Sequence, residues 1–332
     1  MSNPASPDSS DYVAPGSGRR SAWFLGLLAA ALLFVPGACF LMNRSRLKDV
    51  PLAEGKAREE ALREMIVKLR PLHLPIHKPG PHDWLANHAE PGQTFNEYLA
   101  CEPVTLEGTR RVLYIQPLGK FTPTQRKIVT LSAAFMAIYF NTEVKVNEDL
   151  PLALVPAQHQ RLSRGFGTQL RTGYVLDKLL KPRLPEDAAA CIAFTAADLY
   201  PEDDWNFVFG QASLYQRVGV WSLARYGDPD ASPADFRLCL LRTLKVATHE
   251  TGHMFSMSHC ILYECNMNGS NHLQESDQAP LALCPECQAK LCWATRADPL
   301  VQFRKLAEFC QDQGLKDEQA SYEKSRQTLE RR

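Results

Sequence analysis

With 332 residues, 45% of them hydrophobic and 22% charged, the chain holds enough material for one good-sized core plus appendages. Lys and Arg (37) balance Asp and Glu (37), giving a formal net charge of zero, so nothing in the balance points to nucleic acid or an acidic surface. Ten cysteines lie without the framework of a disulfide-stapled domain, a usage that fits a reducing compartment better than an oxidising one.

Residues 1–20 are Ser, Pro, Asp and Gly without an apolar period, which predicts a disordered tail. From Ser21 to Met42 runs the uncharged SAWFLGLLAAALLFVPGACFLM, flanked by Arg19 and Arg20 and by Arg44, Arg46 and Lys48. At about 1.5 Å per residue it reaches ~33 Å, enough to cross a bilayer core as an N-terminal transmembrane anchor. A cleaved signal peptide is the competing reading, but the run is long for one and its candidate cleavage region holds a proline. The more positive C-terminal flank places the following domain on the cytoplasmic side.

Residues 43–71 contain a charged amphipathic helix with Leu62, Met65, Ile66 and Leu69 on one stripe, either a stalk or a helix docked on the domain. Residues 71–92 are rich in Pro and His (His73, His77, His82, His88); the prolines deny those histidines a regular helix, and a packed loop is expected. The catalytic domain spans 72–312. RRVLYIQPLG reads as a buried strand, PTQRKIVTLSAAFMAIYFN as a helix and TEVKVNE as a second strand. Residues 150–170 are loop-like, TGYVLDKLLK is a short helix, and AACIAFTAADLY a third, fully buried strand. WNFVFGQAS reads as an edge strand with VGVWSLARYG beside it. The class is α+β, with helices on a mixed sheet. Ser232 and Pro233 have N-cap and first-turn chemistry for an active-site helix, with Phe236, Leu240, Leu244 and Ala247 as its buried stripe. Asp298-Pro299 repeats that signal for a C-terminal helix, and residues 313–332 form a charged tail, a solvated helix or frayed end.

The chemistry concentrates between His249 and Cys287, in HETGHMFSMSHC, CILYECNM and CPEC. On a helix, His249 and His253 stand one turn apart on one face, the geometry for two nitrogens of a tetrahedral zinc site. His259 reaches the same ion only if the chain breaks near residue 256 and doubles back. Glycine would enter such a turn freely, whereas Ser256 with positive φ costs about 1–2 kcal/mol. Three histidines leave a fourth position for water, and Glu250 is placed as the general base that takes its proton. Cys260 and Cys265 (C-x4-C) pair with Cys284 and Cys287 (C-x2-C) as a closed, structural four-thiolate zinc site.

HExxH, a third His at the required offset followed by Cys, C-x-M and a downstream CxxC resemble the archaemetzincin (archaelysin) family of zinc peptidases. DLYPEDDWNFVFGQASL at 198–214, ARYG at 224–227 and NGSNHLQESDQAPLALCPECQAKL at 268–291 are similar to its animal members. The resemblance covers about residues 72–310 and departs from the motif only at Ser256. It implies a zincin/metzincin-like catalytic domain with two Zn2+ per chain. His249, His253 and His259 would bind the catalytic ion, Glu250 would be the base, and Cys260, Cys265, Cys284 and Cys287 would hold the structural ion. Met267, two residues past Cys265, would be the Met-turn methionine. The expected protein is a membrane-tethered, monomeric metallopeptidase acting on peptide or protein substrates, with no nucleic-acid partner. The alternative is a non-catalytic two-zinc binding protein with a decayed turn at Ser256.

Overall fold

The structure is a computed structural model, and it describes residues 52–106, 108–213 and 216–331. The tail 1–20 and the apolar run 21–42 lie outside the described residues, and among the described ones no helix is long and apolar enough to cross a membrane.

Helix α1 (Leu52–Leu69) lays its stripe on the domain: Leu62, Met65, Ile66 and Leu69 are all buried. It is therefore a docked helix and not a free stalk. The Pro- and His-rich stretch after it is a packed loop with one short helix, α2 (Trp84–Asn87), followed by α3 (Phe95–Ala100). Thr94 caps α3 through a reciprocal bond with Glu97, the capping-box arrangement.

Strand β1 (Val112–Leu118) is buried along its whole length. A right-handed crossover is the expected link between parallel neighbours, and α4 (Pro123–Tyr139) carries the chain to β2 (Val144–Val146), which pairs parallel to β1. The stretch 150–170, expected to be loop, instead contains β3 (Gln160–Ser163) and the start of β4 (Gly167–Arg171), an antiparallel hairpin. Its turn needs left-handed backbone at Gly165 and Gly167, and Leu162 faces solvent, so no apolar alternation marks it in the sequence. Helix α5 (Thr172–Tyr174) continues as a π-helical stretch, Val175–Leu180.

The apolar run expected as one third strand divides into β5 (Ala188–Thr195) and β6 (Asp198–Tyr200). β5 pairs with β1, whereas β6 leaves at Ala196–Ala197 to complete a small sheet of order β3-β4-β6. Strand β7 (Gly210–Ser213) is shorter than expected; Trp205 and Phe207 precede it as half-buried loop residues. It forms the antiparallel edge beside β8 (Val218–Ser222), giving the main sheet the order β2-β1-β5-β8-β7. Since β2, β1, β5 and β8 are parallel and helices cover both faces, the architecture is mixed α/β more than α+β.

The two faces of the sheet are read from alternate residues. Leu113, Ile115, Ile192 and Phe194 pack towards α4 and towards α6 (Pro233–Met254), while Val112, Tyr114, Cys191 and Ala193 pack on Val175, Leu176 and Leu179. Behind α6 come α7 (Leu273–Gln278), α8 (Pro285–Thr295) and α9 (Pro299–Gln313). The stretch after Gly314 is a helix, α10 (Lys316–Glu330), and not a frayed end: Tyr322 is buried, its ring 6.3 Å from that of Phe303 on α9.

Candidate active site

Helix α6 starts where its capping residues specify. The Ser232 hydroxyl accepts from Asp235 N at 3.1 Å and Pro233 occupies the first turn, closing orphan donors at the N-terminus. Leu240, Leu244 and Ala247 are fully buried against the sheet and Phe236 partly so, which fixes the rotation of the last turns. Those turns present His249 and His253 on one side, with ring centroids 4.6 Å apart.

The helix ends as a Schellman motif. Met257 N donates to Gly252 O at 3.2 Å and Ser256 N to His253 O at 2.9 Å, with Ser256 at φ +66°. The serine thus occupies the left-handed position that glycine would favour, and the chain doubles back as the histidine spacing requires. His259 arrives 5.2 Å from His249 and 4.9 Å from His253 between ring centroids.

Hydrogen bonds at Nδ1 decide what the three rings can do. His249 Nδ1 donates to Asn266 O at 2.7 Å and His253 Nδ1 to Met257 O at 2.6 Å. A carbonyl can only accept, so each ring carries its proton on Nδ1 and leaves a lone pair on Nε2. Those two Nε2 atoms face each other at 3.0 Å, too close for bare lone pairs. Protonation is no remedy: burial and the neighbouring His259 push His249 down to about 3, and burial with both other rings holds His253 far below the ordinary imidazole range. A cation between them resolves the contact. Tetrahedral zinc with Zn–N near 2.05 Å sets nitrogens about 3.3 Å apart, and one ligand atom from each of the three histidines falls within 4.8 Å of the others. The donor set fits zinc.

Glu250 lies beside this cluster with 6% of its surface exposed, and its Oε2 is buried without a hydrogen-bond partner. Burial pushes its carboxyl up to about 8, the direction expected of a base kept dry.

Cys260, Cys265, Cys284 and Cys287 are all buried and reduced, with their sulfurs within 4.8 Å of one another. Cys260 and Cys284 are 3.6 Å apart at sulfur, far from a disulfide and near the ~3.8 Å edge of a zinc–thiolate tetrahedron with Zn–S of 2.3 Å. The other three thiols hold Cys260 well below the ordinary thiol range, while burial drives Cys265 and Cys284 above it. Asn268 ties the loop, accepting from Cys265 N at 2.7 Å and donating to Cys260 O and Tyr263 O at 2.7 and 2.9 Å. Met267 is fully buried. A Cβ on Gly252 would meet its sulfur at 2.9 Å, so the thioether packs directly beneath the helix turn between the first two histidines.

Comparison with known proteins places the chain in a family. Residues 171–292 match the model of peptidase family M54. Archaemetzincin-2 of Macaca fascicularis is 34% identical over 285 residues, covering 76% of this chain and 79% of its own. The Homo sapiens archaemetzincin-2 is 34% identical over 271 residues, 72% and 75%. The chain belongs to the archaemetzincin family. Among solved structures, an archaemetzincin from Archaeoglobus fulgidus crystallised with malonate is 30% identical, covering 54% of this chain and 99% of its own at a TM-score of 0.43. One from Methanopyrus kandleri is 29% identical, covering 57% and 98% at 0.44. As an archaemetzincin the chain is a zinc metallopeptidase of family M54.

Arg225 and His272 carry groups able to donate to a developing oxyanion, and in this archaemetzincin both are engaged elsewhere. Arg225, a candidate donor to a developing oxyanion, is paired with the buried Asp198 at 2.9 and 2.7 Å and lies between the rings of Phe166 and Phe207. His272, the other candidate, caps α7 by accepting from Glu275 N at 3.1 Å. That bond puts the His272 proton on Nε2, facing Asp83 at 3.7 Å, so the Asp83–His272–Glu275 group is not a ready cation site. Both Glu275 oxygens are also occupied, by Trp84 N and Asn271 N at 2.8 and 2.6 Å. Of the loop histidines, His77 bonds Glu264 at 2.8 Å and His88 stacks on Trp84.

One residue beside the histidines carries no mark in the sequence. Glu90 sets both carboxylate oxygens on His259 Nδ1, at 2.8 and 3.0 Å. Burial pushes its carboxyl up, but the bond and charge interaction with His259, joined by Trp84 and His88, together outweigh this and hold it below the ordinary range. Trp84 meets the His259 ring edge-on at 5.1 Å between centroids. Both lie in the loop read from sequence as packing alone.

Proposed function

We propose that the chain hydrolyses peptide bonds at the three-histidine cluster, with Glu250 as general base. In this reading His249, His253 and His259 hold the catalytic ion through Nε2, and Cys260, Cys265, Cys284 and Cys287 hold a second, structural one, two Zn2+ per chain. The observation that carries it is the pair of Nε2 lone pairs 3.0 Å apart with both Nδ1 atoms committed, beside a buried carboxylate oxygen that has no partner. A zinc ion held there supplies Lewis-acid polarisation of the scissile carbonyl and makes a water in its remaining position acidic near neutrality.

With the ion in place, Glu250 would take a proton from the attacking water as its oxygen adds to the carbonyl carbon, then deliver it to the amine nitrogen as the C–N bond breaks. In the zinc-free chain burial pushes its carboxyl up to about 8, and a cation held beside it would favour the ionised form that acts as the base. The peptide lies extended along the free edge of β7, where backbone groups of an edge strand accept another strand. Met267 serves as the Met-turn floor. The alternative of a decayed, non-catalytic site loses its motive, since the turn closes with Ser256 in place. Residues 21–42 act as the membrane anchor, with the catalytic domain, 72–312, on the cytoplasmic side.

Glu250→Gln tests the assignment. Peptide cleavage should fall about 10²–10⁴-fold in kcat, while metal analysis still finds two zinc ions per chain. A variant that cleaves like the wild type, or a wild type with zinc on the thiolates alone, would refute it.

A further inference from the structure

One segment, residues 84–104, which lies N-terminal to the stretch matching family M54, bonds to Phe255, Ser256, Ser258 and His259 on the approach to the ring cluster. Glu90 holds His259 Nδ1 with both oxygens. Gln93 grips both ends of the turn: its Nε2 donates to Ser256 O at 3.2 Å and its Oε1 accepts from Ser258 N at 3.1 Å. The Ser256 hydroxyl accepts from Val104 N at 3.1 Å. Tyr98, fully buried, donates its hydroxyl to Phe255 O at 2.8 Å. The segment is in turn anchored to α8: Lys290, also fully buried, donates to Gln93 O, and Glu286 accepts from Phe95 N at 2.7 Å.

These contacts meet at the one position where the chain departs from the glycine of its motif. A serine in the left-handed region is unfavourable by about 1–2 kcal/mol and persists only where its surroundings over-determine it. Here four bonds from one segment do so, and one of them uses the hydroxyl that glycine lacks. The partners of the three rings also differ in kind. His249 and His253 rest on neutral carbonyls, whereas His259 rests on a carboxylate, which orients a ring and makes its other nitrogen a better donor.

We propose that residues 84–104 are a working part of the metal centre: Glu90 is a positioning residue that orients and polarises His259, and Gln93, with Tyr98 and the Val104 amide, holds the Ser256 turn in the conformation that brings His259 to the ion. This rests on the reading of the three histidines as a metal site. Gln93 joins the turn to the cysteine helix through Lys290, so the same segment spans both clusters.

The test uses the full chain loaded with cobalt(II): the shorter-wavelength ligand-field bands of nitrogen ligation report the histidine cluster, and the sulfur charge-transfer band reports the cysteine cluster and serves as the measure of folding. Zinc affinity is read in parallel by competition with a chromophoric chelator. Glu90→Ala should weaken binding at the histidine cluster about 10–100-fold and shift its ligand-field bands, with the charge-transfer band unchanged. Glu90→Gln, which keeps an acceptor but not the charge, should fall between Glu90→Ala and wild type. Gln93→Ala should weaken the same cluster, and Ser256→Gly introduced into Gln93→Ala should restore most of the loss, because glycine needs no brace. Unchanged affinity and bands in Glu90→Ala and Glu90→Gln would overturn the role of Glu90. Failure of Ser256→Gly to rescue Gln93→Ala would overturn the brace. A wild type that binds metal only at the thiolates would instead defeat the underlying site assignment.

Discussion

Around the cysteines, backbone N–H groups point at sulfur: Met267 and Cys284 at Cys265, 3.4 and 3.2 Å away, and Cys287 at Cys284, 3.5 Å away. Around the histidines the bonding is directed outward, from Nδ1 to Asn266, Met257 and Glu90, and on the inner side Glu250 Oε2 is left without a partner. Both clusters draw on one stretch of chain, and every ligand residue is buried except His249, which is half-buried. They differ in what is satisfied. Four sulfurs, two of them accepting from backbone amides, close a shell, and a closed shell has no place for water. Three nitrogens and an orphan carboxylate oxygen leave one side unfinished, a cost in stability of the sort that reactive sites carry.

Substitutions can break this contrast. The largest effect should come from Cys284→Ala, which removes a ligand and the N-cap of α8 together and should cost several kcal/mol, since structural zinc contributes directly to folding. His253→Ala should lower the melting temperature far less. Equal losses in thermal unfolding would mean that the two clusters do the same work. Next is Met267→Ala: the side chain is fully buried against Gly252, and the cavity should destabilise by about 2–4 kcal/mol in denaturant unfolding.

Glu250 sharpens the contrast through pH. In the zinc-free protein its folded pKa lies near 8 against an ordinary 4.5, so between those values the folded chain keeps a proton that the unfolded chain has lost. Stability then declines as pH rises through that window, by up to about 1.4 kcal/mol per pH unit. Zinc-free Glu250→Gln should therefore match the wild type at pH 4 and exceed it at pH 8, with urea midpoints as the measure; parallel midpoints would show that the carboxyl is not strained. The smallest effect is expected of Ser256→Gly. Relief of left-handed strain is opposed by the lost Val104–Ser256 bond and by glycine's greater unfolded entropy, for a net change within about 0.5 kcal/mol. An unfolding free energy changed by more than that in denaturant titration would show that the turn is not the balanced element described.

What could be read in the sequence was local. A four-residue spacing of histidines fixes a shared helix face whatever surrounds it, and Ser232-Pro233 marked the start of that helix because capping chemistry acts within one turn. The buried strands Val112–Leu118 and Ala188–Thr195 announced themselves as apolar runs. The division of the second run at Ala196–Ala197 did not, since no glycine or proline marks it; the one sign was Asp198, a carboxylate inside an apolar stretch that is buried because Arg225 pairs with it. Glu90 was out of reach for a different reason. Its partner is 169 residues away, and a glutamate before Pro91-Gly92 in an irregular loop has no period from which to infer a direction. That Ser256 would take a left-handed turn could be posed as a cost but not resolved, because the groups that hold it also come from that loop.

His259 and Cys260 are consecutive, so the last nitrogen of one cluster and the first sulfur of the other are separated by a single peptide unit. The distance between the two centres is therefore set by backbone dihedrals, with no slack for a change of chain length. Extra residues can be absorbed after Ser270, where the chain runs to Cys284 through a separate helix, but not at this junction. A single glycine inserted between the two would misplace one set of ligands or the other, and homologous chains of any length are expected to keep that pair adjacent.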